Sequence, residues 1–247
     1  MRNKRVWKFI ALGALIVLVI LGISYLSYER KPLPNASTAM ESDETVIVSN
    51  DPWLTFTPVG SDPTTGFIFY PGGRISHLGY SDLMRAIAEK GYLVVVPKMP
   101  LNMAVFESNI ADEIIDAHPE INNWVIGGHS VGGTAAALYA SSHPDKISGL
   151  AIWSSYPANN SDLSSLDIPV ILMYGGNETR VTDESVSDHQ DLLPPDTRYI
   201  KIEGGDHHQF GSYVLTTEEN LATISREEQH AQILSAMFTL LQSVARQ

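Results

Sequence analysis

WVIGGHSVGGTAAALYASS, residues 124–142, decides how this chain is read. Its apolar opening leads into Gly128-His129-Ser130-Val131-Gly132, and an alanine-rich run follows from Thr134 to Ser142. A bare G-x-S-x-G is short enough to arise by chance. The strand-like approach and helix-forming exit give it meaning, because together they build strand, tight turn and helix. A serine at the apex of such a turn is held at positive φ. Side chains two residues to either side would collide with the turn, and Gly128 and Gly132 remove them. Ser130 Oγ is therefore expected to stand exposed as a nucleophile, with the Val131 N–H directed at a developing oxyanion. A phosphate-binding turn is the competing explanation, but neither G-x-G-x-x-G nor a following Lys-Ser/Thr is present.

Outward from this motif, short β-rich runs alternate with helical patterns. VIV (46–48) and WLTFTP (53–58) read as an opening antiparallel pair. GFIFY (66–70), YLVVV (92–96), NWVIG (123–127), SGLAIW (148–153), PVILMY (169–174) and TRYIKI (197–202) follow. Helices are expected at roughly 79–90, 103–117, 131–142, 182–192 and 226–245. Strands alternating with helices of this length predict a mostly parallel sheet of about eight strands, flanked by helices. Continuously apolar runs such as YLVVV suit strands covered on both faces. One domain, 46–247, accounts for the pattern, and no internal repeat is visible.

A serine nucleophile needs a base, and the base needs an orienting acid. Behind an elbow of this kind the chain order is serine, acid, histidine. Of the five histidines after Ser130, His143 and His189 fall at or within helices. His230 lies in the last helix pattern and is expected at the surface. His207 and His208, in IEGGDHHQFG between the last strand and the last helix, remain, and His207 is the favoured base. The acid is expected in GGNETRVTDES after the strand PVILMY: Glu178 first, Asp183 second, with Asp206 beside the histidine as a third candidate. Tyr70-Pro71-Gly72-Gly73-Arg74 follows GFIF, and the Gly73 N–H is expected as the second oxyanion donor. Arg74 could supply that donor instead, or meet a substrate carboxylate.

With these pieces in place, residues 66–245 resemble the compact α/β-hydrolase family that includes dienelactone hydrolase-like proteins. FIFYPGG (67–73), YLVVVPKMPLNMAVF (92–106), WVIGGHSVGG (124–133), IEGGDHHQFGSY (202–213) and ISREEQ (224–229) carry the resemblance. It implies a Ser/acid/His triad, with Ser130 and His207 on the nucleophile and base, and Glu178 where the family usually has Asp. It also implies that loop 97–106 lines the pocket, made apolar by Met99, Leu101, Met103 and Phe106. Only about fifteen residues separate the strands ending near Trp153 and starting near Pro169, too few for a helical cap domain. An open, shallow site follows, suited to small or accessible acyl groups.

The amino terminus is of another kind. After Lys8, the run from Phe9 to Leu26 is apolar or small apart from Ser24 and Tyr25. Eighteen residues at about 1.5 Å each reach roughly 27 Å, enough to cross a bilayer core. Trp7 at one end and Tyr25 and Tyr28 at the other suit its two interfaces. Four basic residues precede the run and two follow it, so residues 1–8 are expected in the cytoplasm, with 9–28 a signal anchor. Residues 29–45, mixed in Pro, Ser, Asn and charge, read as a linker. The catalytic domain is then extracytoplasmic, or secreted if the segment is a cleaved signal peptide.

Beyond residue 31 the chain holds 10 basic and 27 acidic residues, a balance that disfavours nucleic acid. The absence of cysteine removes disulfides, thiolate zinc sites and cysteine nucleophiles. No cofactor and no metal are expected. The expected partners are a small-molecule ester and the membrane, with the oligomeric state open. The function these features predict is ester hydrolysis through an acyl-enzyme. Acyl transfer shares the same first half-reaction. A non-catalytic, membrane-tethered module on the same scaffold is the alternative from another class.

Overall fold

The computed structural model describes residues 2–215 and 221–246. Eight strands form a single sheet: β1 (Val46–Asn50), β2 (Leu54–Pro58), β3 (Thr65–Tyr70), β4 (Leu93–Val96), β5 (Asn123–His129), β6 (Gly149–Trp153), β7 (Val170–Gly175) and β8 (Arg198–Ile202). Their order is β1-β2-β4-β3-β5-β6-β7-β8. β1 pairs antiparallel with β2, β2 antiparallel with β4, and the other five pairings are parallel. The helices are α1 (Arg2–Ser27), α2 (Pro34–Thr38), α3 (Ser81–Ala88), α4 (Ile110–Ala117), α5 (Val131–Ser142), α6 (Asp183–His189) and α7 (Arg226–Val244).

Strand alternation sorts the core. Phe67 and Phe69 of β3 point to one face, where α3 and α7 pack with Leu83, Met84, Ile233 and Met237. Ile68 and Tyr70 point to the other face, against Ile114 of α4 and the alanines of α5. Both faces are dry, which is why the central strands carry no polar alternation. Trp153, fully buried, sets its ring tilted against that of Phe69, with the centroids 4.6 Å apart. α7 starts on a capping box in which Ser225 and Glu228 satisfy each other's backbone N–H groups. No helix occurs between β6 and β7, so no helical cap rises over the sheet there.

α1 is a 26-residue helix whose stretch Trp7–Tyr25 is long and apolar enough to cross a membrane and is exposed along its length, meeting the domain at its carboxyl end. Segment 29–45, expected to be a linker, is folded onto the domain instead. The Arg30 N–H donates to the Arg74 carbonyl at 2.8 Å and the Leu33 N–H to the Ser212 carbonyl at 2.9 Å. In return the Ser76 N–H donates to the Arg30 carbonyl and the Val214 N–H to the Lys31 carbonyl. The Asn35 side chain of α2 reaches Asp82 at 2.8 Å, and Ala36 is fully buried. Polar composition hid this docking, because backbone hydrogen bonds carry most of it.

Candidate active site

In open sheets of this type, sites form at the carboxyl ends of the strands where the strand order reverses. Here the reversal lies between β3 and β5, since β4 is on one side of β3 and β5 on the other. Ser130 follows β5 with φ 54° and ψ −125°, a conformation that costs a non-glycine residue about 1–3 kcal/mol. The surroundings hold it there. Its N–H donates to the Trp153 carbonyl at 2.9 Å, and its own carbonyl accepts from Gly133 and Thr134. A Cβ on Gly128 would stand 2.5 Å from the backbone of Gly132, and one on Gly132 would run into the carbonyls of Tyr70 and Pro71. The turn closes only with glycine at both positions.

His207 follows β8 and Glu178 follows β7, both buried. His207 Nδ1 lies 2.9 Å from Glu178 Oε2, while Glu178 Oε1 accepts the Gly175 N–H at 2.7 Å. A carboxylate only accepts, so Nδ1 carries the proton and Nε2 is left as a base. Ser154, at the end of β6 with φ 46°, closes a triangle. Its Oγ donates to Glu178 Oε2 at 2.5 Å and sits 2.5 Å from His207 Nδ1.

The other two acid candidates are engaged elsewhere. Asp183 accepts the Tyr174 hydroxyl at 2.7 Å and Lys201 Nζ at 2.9 Å. Asp206 accepts the backbone N–H groups of His208, Gln209 and Leu221, which makes it the organiser of the histidine loop.

Behind Ser130 runs a second polar chain. His129 Nε2 donates to the His207 carbonyl at 2.9 Å, which leaves Nδ1 to accept from the Tyr80 hydroxyl, also at 2.9 Å. The Tyr80 oxygen in turn accepts the Gly72 N–H at 3.0 Å. Burial drives His129 well below the ordinary imidazole value and Tyr80 well above the ordinary phenol value, so both are neutral. Burial, with the neighbouring His207, likewise lowers His208 to about 4.

Ser130 and His207 line one cavity of about 170 Å³, together with Gly73, Arg74, Arg180 and Tyr28 among others. A Cβ on Gly73 would come within 3.0 Å of Val131, so the two residues expected to supply the oxyanion donors are neighbours.

A family model described as the alpha/beta hydrolase family matches residues 66–231. The chain belongs to that family. Solved structures with the same fold include a predicted CIB-like hydrolase from Thermoplasma acidophilum, with a TM-score of 0.60 at 15% identity over 81% of this chain and 100% of that one. The esterase domain of a Rhodothermus marinus protein gives 0.55 at 14% identity, over 78% and 94% of the two chains. A Klebsiella pneumoniae protein assigned as a dienelactone hydrolase gives 0.54 at 16%, over 76% and 92%. In sequence, 100 residues are 25% identical to a proline iminopeptidase of Arabidopsis thaliana, covering 40% of this chain and about a quarter (24%) of that protein's length.

Within this alpha/beta hydrolase some sequence expectations land elsewhere. Met99 is buried in the core beside Ile68 and Val95, and Leu101 and Phe106 are exposed. None of the three lines the cavity at Ser130. Leu101 and Asn102 both take positive φ in the turn that carries Leu101, while Met103 of the same loop packs against Gly73 at the edge of the cavity. His230, expected at the surface, is buried with Nδ1 3.5 Å from Asp82.

Ser154, His129, Tyr80 and Arg180 were not singled out by motif. Ser154 had a signal, since it follows its strand as Ser130 follows its own. His129 is the free position of G-x-S-x-G. Nothing in the sequence marks Tyr80 or Arg180.

Proposed function

We propose that this chain is a serine hydrolase of carboxylic esters, tethered to a membrane through α1 with its catalytic domain on the extracytoplasmic side. The observation that carries the reading is that His207, paired with the buried Glu178, shares a cavity with a serine held at positive φ. Ser130 Oγ attacks the ester carbonyl while His207 Nε2 takes its proton. The Val131 and Gly73 N–H groups receive the negative charge that develops on the carbonyl oxygen. His207 returns the proton to the departing alcohol, leaving an acyl-serine. Water, deprotonated by His207, then releases the acid and restores Ser130. Glu178 keeps the proton on Nδ1 and stabilises the imidazolium that forms in each half-reaction.

The test is labelling of the membrane-embedded full chain with a fluorophosphonate, beside Ser130→Ala and His207→Ala. The expected result is labelling of the parent and none of either variant. Labelling that persists in Ser130→Ala points to another nucleophile. A folded parent that takes no label sinks the hydrolase reading.

A further inference from the structure

The cavity at Ser130 is ringed by positive charge in a domain dominated by acids. Arg30, Arg74 and Arg180 all line it, and neither Arg74 nor Arg180 forms an ion pair among the described residues. The Arg74 Nε is buried without a hydrogen-bond partner. With 27 carboxylates available beyond residue 31, unpaired arginines facing a reaction site are not a consequence of composition. Among the described residues, the two carboxylates that share a pocket with Arg180 are committed: Glu178 to His207, Ser154 and Gly175, and Asp206 to three backbone N–H groups. Guanidinium groups placed so are suited to a carboxylate or phosphate.

The position of α1 says where that anion comes from. The Arg74 guanidinium stacks 3.9 Å from the centre of the Tyr25 ring, the last residue of the membrane-crossing stretch. Tyr28 lines the Ser130 cavity itself, and three residues beyond Tyr25 amount to roughly 5 Å along a helix axis. The headgroup layer on each side of a bilayer is about that deep or a little deeper. The 30–33 segment is also bonded on one side to the Arg74 loop and on the other to the loop after His207, so the helix leaves the domain at the rim of the site.

A second, wider groove of about 590 Å³ continues from the cavity along α1. Leu21, Ser24, Tyr25, Tyr28 and Arg74 line it, and Tyr28 and Arg74 belong to both spaces. Its Leu21 end lies inside the apolar span.

We propose that the substrate is an anionic membrane amphiphile. Its acyl chain stays in the groove beside α1, its ester reaches Ser130, and an unreacted carboxylate or phosphate sits against Arg74 and Arg180. This rests on the serine-hydrolase reading above and adds the class of ester and its source. A cavity of about 170 Å³ is smaller than pockets that enclose a whole ligand, so a long acyl chain has its room in the groove and not here.

The test uses the full chain in neutral detergent micelles that carry either phosphatidylglycerol or the uncharged diacylglycerol with identical acyl chains, following released fatty acid. In water, 4-nitrophenyl hemisuccinate is compared with 4-nitrophenyl butyrate. Phosphatidylglycerol is expected to be cleaved at least about tenfold faster than diacylglycerol, a charge-assisted contact being worth that much. Arg74→Gln and Arg180→Gln should each bring that ratio down severalfold, with fluorophosphonate labelling reporting that the site is still folded. Equal cleavage of the two lipids overturns the proposal, as does an anion preference that neither variant moves. A preference seen only with the soluble hemisuccinate overturns the membrane source. Turnover of no ester, together with no labelling, sinks the hydrolase reading itself.

Discussion

The Tyr80 hydroxyl lies 2.9 Å from His129 Nδ1, and through this pair the Gly72 amide is joined to the carbonyl of His207. The loop expected to stabilise the oxyanion and the loop carrying the expected base are thus tied by one neutral, fully buried chain. Its two ends are fixed by backbone groups, so a shift in either loop is felt by the other.

Tyr80→Phe deletes the middle of that chain. The Gly72 N–H and His129 Nδ1 are then buried without partners, which costs about 1–3 kcal/mol. Thermal denaturation should report a lower Tm, and ester turnover should show kcat falling more than KM rises. A Tm unchanged from the parent removes the structural role.

Ser154→Ala removes the hydroxyl that bonds Glu178 and sits against His207. A hydrogen bond to a charged group is worth roughly 1.5–3 kcal/mol, so kcat should fall by about tenfold or more. Glu178→Gln should cost more, on the order of 10³–10⁴, because an amide favours the wrong imidazole tautomer. Asp183→Asn should leave turnover near the parent value, since Asp183 is held by Tyr174 and Lys201. If Asp183→Asn were the most damaging of the three, the acid would be misassigned.

Gly132→Ala drives a methyl group into the carbonyls of Tyr70 and Pro71. Backbone cannot rotate away as a side chain can, so destabilisation should reach or exceed the roughly 1–3 kcal/mol typical of overpacking. Urea titration of the purified variant measures it. Full stability with retained labelling would mean that the elbow relaxes in a way the static geometry does not suggest.

Acid should destabilise the fold well above the carboxylate range. Burial lowers His77 and His208 to about 4 and drives His129 well below its ordinary value, whereas an unfolded chain titrates all three near 6.5. Above about pH 6.5 both states are neutral there and stability is flat. Below it the unfolded chain takes up protons that the native state refuses, so stability falls as pH drops from 6.5 towards 4. Tm recorded from pH 7.5 to 5 should decline, and His77→Gln should make the decline shallower. A Tm independent of pH over that range contradicts the burial of these rings.

The fold was legible because its signals are local. YLVVV and GFIFY are continuous apolar runs, and the structure places both in the doubly covered centre of the sheet. Helix 131–142 was legible to the residue, since the glycines of the elbow fix its start. The long loop 97–106 was not, because two consecutive left-handed residues, Leu101 and Asn102, form a turn that leaves Leu101 exposed where its apolar character suggested a pocket wall.

The sequence by itself determined the order of the strands along the chain, the strained turn at Ser130, the apolar span of α1 and the shortlist of acids and histidines. Each of those rests on periodicity, steric demand or residue chemistry within a few positions. Only the tertiary structure decided which carboxylate meets His207, that Ser154 joins them, that Tyr80 and His129 connect two loops, and that Arg74 and Arg180 face the cavity. Ser154–Glu178, Glu178–His207, Tyr80–His129 and His129–His207 span from 24 to 78 positions of chain, and hydrogen-bond geometry over such separations is set by how the sheet stacks its strand ends side by side.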